Sequence, residues 1–161
     1  MKENFKSAVH MIIIENNKIL IQKRKGTNLW EGYYALPAGH IDKGENQYEA
    51  VIREAKEELD IDITISDLED IGVVLRRNYF EIDGKKLDPY IDFYFLIKSY
   101  KGTIKIVEED KCDEILWVDK DHLPKPFINY EGVFLNNKNI KTYDCKNQGA
   151  YVKNKIKNDL L

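Results

Sequence analysis

Residues 39–61 read GHIDKGENQYEAVIREAKEELDI, and their spacing dictates a helix with two unlike faces. At about 3.6 residues per turn, Glu54, Glu57 and Glu58 stand at i, i+3 and i+4, so three carboxylates share one face. Tyr48, Val51, Ile52, Ala55 and Leu59 form an apolar stripe on the same helix, predicted to run from about Glu45 to Leu59. One side packs while the other lines a site. Like charges this close repel unless a cation stands among them, and an all-oxygen donor set suits Mg²⁺ or Mn²⁺. An isolated E-x-x-E-E reads as a solvated acidic face, so the flanking residues decide.

Gly39, five residues, Glu45, seven residues, then Arg53-Glu54-Ala55-Lys56-Glu57-Glu58-Leu59-Asp60-Ile61 resembles the Nudix box, G-x5-E-x7-R-E-U-x-E-E-x-G-U, where U is bulky and apolar. Gly39, Glu45, Arg53, Glu54, Glu57, Glu58 and Ile61 match, and Ala55 is a small stand-in for the first U. Asp60 departs from the final Gly. That position follows the helix and calls for left-handed backbone, which Gly adopts freely and Asp or Asn next best. The substitution is expected to cost a little stability and no chemistry.

The resemblance extends over residues 6–136. Trp30-x-x-Tyr33-Tyr34-Ala35-Leu36-Pro37-Ala38-Gly39 is similar to the strand entering the box in MutT-like members. Glu108-Glu109-Asp110-Lys111-Cys112, with Trp117 and Leu123-Pro124, resembles a looser pattern in nucleotide-directed members. The resemblance implies an α/β/α sandwich with a mixed β-sheet. It implies hydrolysis of a nucleoside diphosphate linked to another group, with Mg²⁺, or Mn²⁺, as cofactor. Glu57 and Glu58 are then metal ligands, Glu54 is a further ligand or the base that deprotonates water, and the Gly39 carbonyl is within reach of the metal. Arg53 orients the glutamates, and Glu45 caps the helix start. For Arg53 and Glu45 a purely structural role is as good a reading.

Outside the box, Glu108 and Asp110 are candidate extra metal ligands, although an exposed turn also explains them. Lys23 and Arg24 are candidates to contact phosphates, or simply an exposed strand end. Base recognition needs a flat apolar surface with a few polar groups. Tyr34 and Trp117 are the expected contacts among the aromatics Trp30, Tyr33, Tyr34, Phe93, Phe95 and Trp117, some of which alternation sends into the core. Of the three histidines, His40 is expected nearest the substrate. A MutT-like chain suggests a nucleoside triphosphate, including oxidised forms such as 8-oxo-dGTP. ADP-ribose and other nucleoside diphosphate derivatives are alternatives, because the box sets the chemistry and not the leaving group. A reading of another class is a non-catalytic nucleotide sensor on this fold; such a module usually loses a metal glutamate, and none is lost here.

At 161 residues the chain suits a single domain with a sizeable core, residues 137–161 forming a tail that is a helix or frays. Hydrophobic residues make up 43% and charged residues 33%, as in ordinary soluble domains. The net charge of −3 gives no basic face for duplex nucleic acid, so positive charge for a polyphosphate must be supplied locally. The partner expected is a small nucleotide, with no membrane and a monomeric or homodimeric chain. Cys112 and Cys145 lack metal-ligand spacing and read as reduced thiols rather than a disulfide. The run MKENFKSAVHMIII is too short to span a membrane and lacks a cleavage pattern, which makes the cytoplasm the expected compartment.

Ala8–Ile14 and Ile19–Ile21 read as a hairpin about Glu15-Asn16-Asn17-Lys18, and Tyr33–Leu36 as a short strand. Ile71–Tyr79 and Tyr90–Ile97 read as strands joined by a polar turn at Ile82–Lys85. Further strands are expected near Lys101–Thr103 and over Glu114–Val118. Asp121–Pro124 reads as a helical turn and Ile128–Leu135 as a helix.

Overall fold

The computed structural model describes residues 1–27, 30–76, 81–82, 85–86, 88–136 and 142–144. Eleven strands and two helices are present among them. In chain order they are β1 (Lys6–Ile12), β2 (Ile14–Glu15), β3 (Lys18–Arg24), β4 (Tyr34–Ala35), β5 (Ala38–His40), α1 (Gln47–Leu59), β6 (Leu68–Arg76), β7 (Glu81–Ile82), β8 (Lys85–Lys86), β9 (Tyr90–Ile97), β10 (Cys112–Asp119), α2 (Asn129–Asn136) and β11 (Thr142–Asp144).

A five-stranded mixed sheet runs β11-β6-β9-β1-β5, with β1 parallel to β9 and antiparallel to β5. A second, antiparallel sheet runs β10-β3-β2, and β4 also pairs with β3. The two sheets are continuous through the chain itself: β1 ends at Ile12, and Leu20 donates its N–H to the Ile13 carbonyl at 3.0 Å. The expected hairpin therefore forms one step later. Asn16 and Asn17, with φ of 48° and 63°, turn β2 back onto β3, the primed geometry that matches strand twist and that Asn tolerates. β1 belongs to the other sheet because its apolar residues alternate between two buried faces.

That alternation builds the layers. Val9, Met11, Ile13, Leu20, Phe95 and Ile97 face Ala50, Val51, Ala55 and Leu59 of α1 in one core. Ile12, Ile19, Ile21, Val74 and Tyr94 face Phe134 of α2 in another, where the Tyr94 and Phe134 rings stack 3.9 Å apart. The fold is an α/β/α arrangement with a mixed sheet at its centre, covered on both faces.

Helix α1 starts at Gln47, not Glu45. Asn46 is its N-cap, accepting from the N–H groups of Tyr48 and Glu49, while Glu49 reaches back to the Asn46 N–H. This reciprocal capping box satisfies the donors expected to need Glu45. At the other end Asp60 is left-handed, φ 56° and ψ 33°, and its carboxylate pairs with Lys56 at 3.0 Å and Lys105 at 2.9 Å.

Two local expectations are replaced. Lys101 makes a single bridge to Asp62 instead of opening a strand, since Gly102 at φ 100° breaks the extended run. Lys120–His122 form a turn and bend, not helix. The strands at Tyr90–Ile97 and over Glu114–Val118, and the helix near Ile128–Leu135, are present, the last as α2. Cys112 is a free, buried thiol. Cys145, Tyr79, Asp83 and Gly84 and the expected tail helix lie outside the described residues, as does the rest of 145–161.

Candidate active site

The site is organised by one guanidinium. Arg53 Nε donates to Glu45 Oε1 at 2.7 Å and its Nη2 to Glu45 Oε2 at 2.9 Å, a bidentate pair. Nη2 also donates to the His40 carbonyl at 2.9 Å, and Nη1 donates to Glu54 and Glu57, each at 2.8 Å. The planar fork fixes the loop before α1 and two of its carboxylates in one step. Glu45 serves this clamp and accepts the Asp42 N–H at 3.0 Å; the Arg53 guanidinium holds its carboxyl down to about 2.

Gly39 lies on β5 directly over Glu54. A Cβ at Gly39 would stand 1.8 Å from the Glu54 carboxyl carbon, so only glycine lets the strand and that carboxylate coexist. Its backbone is not left-handed; the requirement is space.

Glu58 receives the Ala38 N–H at 3.1 Å and has no ion pair among the described residues. Burial, with Glu54 and Glu108 beside it, pushes its carboxyl up to about 8. Burial likewise raises Glu54, against the pull of Arg53. Glu108 accepts from Lys111 Nζ at 2.7 Å and shares a narrow cleft with Glu58, Gln22 and Cys112. Carboxylates held this close, one of them lacking a cation, fit a divalent ion bound through hard oxygen ligands. Among the described residues, no three Asp, Glu, His or Cys side chains are already drawn into a closed metal cage. The donor chemistry fits; the cage itself is not preformed.

Beside Gly39 opens a cavity of about 220 Å³. Arg24, Trp30, His40, Tyr90, Tyr130 and Glu131 are among its walls. His40 lines this cavity, its Nε2 3.0 Å from the Tyr90 hydroxyl. Of the four expected substrate contacts, only Arg24 reaches the cavity. Lys23, its neighbour on β3, points to the opposite face, over the Tyr34 ring and 3.9 Å from both Asp113 and Glu114. Tyr34 donates to Glu114, and Trp117 lines a separate surface pocket with Glu15 and Lys18. Asp110 is exposed, and its carbonyl packs against Gly26, whereas Glu108 turns to the box carboxylates.

Behind the cavity lies a charged network absent from the expectations. Arg76 pairs with Asp92 at 2.6 Å, and its guanidinium lies 4.3 and 4.2 Å from the Tyr90 and Tyr130 ring centres. His10 Nδ1 is 2.9 Å from Glu131, and its Nε2 is 3.2 Å from Asp92, outside hydrogen-bond alignment. Glu131 also accepts the Leu36 N–H at 2.8 Å. The signal was in the sequence: His10, Asp92 and Glu131 each interrupt an apolar segment, where a charge is either at the surface or paired.

The NUDIX domain family model matches residues 4–137. The ADP-ribose pyrophosphatase of Methanocaldococcus jannaschii is 34% identical over 126 residues, 78% of this chain and 69% of that protein. An RNA pyrophosphohydrolase of Campylobacter jejuni is 33% identical over 118 residues, 65% of this chain and 70% of that protein. The crystal structure of a MutT NUDIX hydrolase from Burkholderia pseudomallei superposes with a TM-score of 0.71 at 26% identity, covering 83% of this chain and 98% of the other. No helix among the described residues is long and apolar enough to cross a membrane. With the box clamped by Arg53 and the match spanning most of its length, the chain belongs to the Nudix hydrolase family, enzymes acting on nucleoside diphosphate derivatives.

Proposed function

We propose that this hydrolase uses Mg²⁺, with Mn²⁺ as a substitute, to cleave the diphosphate linkage of a nucleoside triphosphate or a related nucleoside diphosphate derivative. Oxidised guanine triphosphates such as 8-oxo-dGTP fall within that class, giving a nucleoside monophosphate and pyrophosphate. The observation that carries the reading is Glu58, a carboxylate buried beside Glu54 and Glu108 and raised to about 8 despite the Ala38 N–H and the nearby Lys111 ammonium. Such a group calls for more positive charge than these neighbours supply.

Glu54, Glu57 and Glu58, with the Gly39 carbonyl, would hold the metal, and Glu108 stands nearer to them than Asp110 as a further ligand. Bound there, a divalent ion neutralises charge gathering on the phosphoryl oxygens. Glu54, buried and raised, is suited to take the proton of the attacking water when it is not itself a ligand. Arg53 acts as a positioning residue, its donors spent on Glu45, Glu54, Glu57 and His40. Arg24, in the adjoining cavity, contacts the phosphates of the substrate. The reading asks nothing of Lys23, Tyr34 or Trp117. A small nucleotide is the partner it requires, and a cytoplasmic site of action accords with such a substrate.

The similarity to the Methanocaldococcus jannaschii protein favours ADP-ribose as a second reading. One screen separates the two: purified chain with Mg²⁺ against nucleoside triphosphates, 8-oxo-dGTP and ADP-ribose, with products resolved by chromatography. Monophosphate plus pyrophosphate from a triphosphate, abolished by EDTA, is expected. Preferred release of AMP and ribose phosphate from ADP-ribose selects the second reading, and turnover that survives EDTA overturns both.

A further inference from the structure

We propose that residues 151–161 form an amphipathic helix that docks in an apolar groove beside α2, on the face of the sheet turned away from the box helix. The inference is independent of the substrate and concerns how the second layer of the fold is completed. Helix α1 has 13 residues and α2 has 8, lengths of about 20 Å and about 12 Å. The shorter helix covers less of its face. Beside it lies a groove of about 490 Å³ whose walls include Ile12, Ile14, Ile19, Ile71, Leu96 and Leu135. Ile14 is 43% exposed, and Ile71, Leu96 and Leu135 are half-buried. Single apolar side chains at a surface are ordinary, but a contiguous group marks a place where something binds. Lys120 and Asp121 also line the groove, and they pair with each other at 3.1 Å. A nucleotide needs convergent polar groups to orient it; these walls suit an apolar stripe of polypeptide instead.

Reach, pattern and charge make the chain's own segment the occupant. Strand β11 runs parallel to β6 along the sheet edge, with Asp144 opposite Leu75, four residues or about 13 Å of strand from Ile71. Residues 145–150, CKNQGA, span up to about 20 Å, and Gly149 suits the turn back. The 11 residues 151–161 then make about 16 Å of helix, enough to cross from β6 over β9 to β1, two strand spacings or about 10 Å. Within them Val152, Ile156 and Leu160 recur at i, i+4 and i+8, a narrow apolar face, with Lys153, Asn154, Lys157 and Asn158 turned away from it. Residues 145–161 hold four lysines and one aspartate in a chain of net charge −3. A basic segment therefore folds back on an acidic body, with Asp121 at the groove. A second copy would set the same acidic body against itself.

The groove belongs to the α2 side of the sheet, where Ile12, Ile19 and Phe134 pack, and α1 covers the other side. Docking there stabilises the fold and leaves the box carboxylates untouched.

Nuclear magnetic resonance of the full chain, with labelled isoleucine, leucine and valine methyl groups, tests the assignment. Nuclear Overhauser contacts are expected from Ile156 and Leu160 to Ile14, Ile71 and Leu96, within one molecule when labelled and unlabelled chains are mixed. Ile156→Asp is expected to lose those contacts, to raise binding of an apolar fluorescent dye and to lower the melting temperature by about 4–8 °C, with turnover unchanged. The wild-type contacts stand as a test by themselves should the variant fail to fold. Contacts that form only between molecules, the absence of any contact in folded wild-type chain, or an Ile156→Asp chain with wild-type melting and dye binding overturns the proposal.

Discussion

Gly39 and Glu58 show what single residues contribute, and each makes a prediction. Gly39→Ala puts a methyl carbon where the Glu54 carboxylate lies, so Glu54 must swing off the Arg53 fork. Because the backbone there is not left-handed, the fold tolerates alanine and the loss falls on the site. Turnover is expected to drop roughly 10²-fold, the scale of an ångström's misplacement, with the melting temperature little changed. Wild-type turnover in Gly39→Ala would show that Glu54 has no part in the chemistry. Glu58→Gln is expected to abolish turnover and yet stabilise the metal-free protein. A carboxyl raised to about 8 holds a proton that the unfolded chain releases above 4.5. Stability is therefore intact below 4.5 and falls as pH climbs toward 8. After solvent screening the gain at pH 8 is about 1 kcal/mol, or about 2–4 °C. Melting curves of both proteins in EDTA at pH 4.5 and 8 check it: equal at the first, separated at the second.

Among the elements, α1 was the most legible in the sequence. Its apolar stripe, acidic face and left-handed end at Asp60 all follow from local spacing and backbone sterics. Glu45 and Asn46 mark the limit of that legibility. Either side chain can cap a helix start, and the choice is made by Arg53, which draws Glu45 away through contacts that spacing does not encode. The same holds for Lys23 and Arg24: adjacency put both at the site, but strand alternation sends them to opposite faces. Glu131, buried across the sheet from α1 and 95 residues beyond the Leu36 amide it caps, was beyond local reading altogether. For α1 a further outcome follows. Asp60→Gly relieves left-handed strain, which costs at most about 1–2 kcal/mol and less for Asp, and gives up two exposed ion pairs worth about 0–1 kcal/mol each. The two nearly cancel. Chemical denaturation is expected to place the variant within about 1 kcal/mol of wild type, with unchanged turnover. A larger loss would mean that Lys56 and Lys105 anchor the helix end through Asp60.

Across the whole molecule, α2 is tied to the sheet by charge as well as by packing. Arg76 on β6, Asp92 on β9, His10 on β1 and Glu131 on α2 form one chain of alternating sign, and Leu36 carries it to the strand entering the box. Burial alone would lower the His10 imidazole, but Asp92 and Glu131 raise it to about 9; burial would raise Asp92, yet His10 and Arg76 hold it down to about 2. The imidazolium is thus the form that satisfies both acids. Its folded value exceeds the unfolded 6.5, so the contribution is fully present below 6.5 and is lost as pH rises through 9. Glu58 slopes the same way at lower pH, so the measurement belongs in the Glu58→Gln protein. There, urea denaturation between pH 6.5 and 9.5 is expected to show falling stability, and adding His10→Asn should flatten that fall. At pH 6.5 the same substitution should cost about 3–5 kcal/mol, the scale of removing one partner from a buried pair. A flat profile with His10 intact would mean that the ring is neutral and that α2 is held by the Tyr94–Phe134 stack and its neighbours alone.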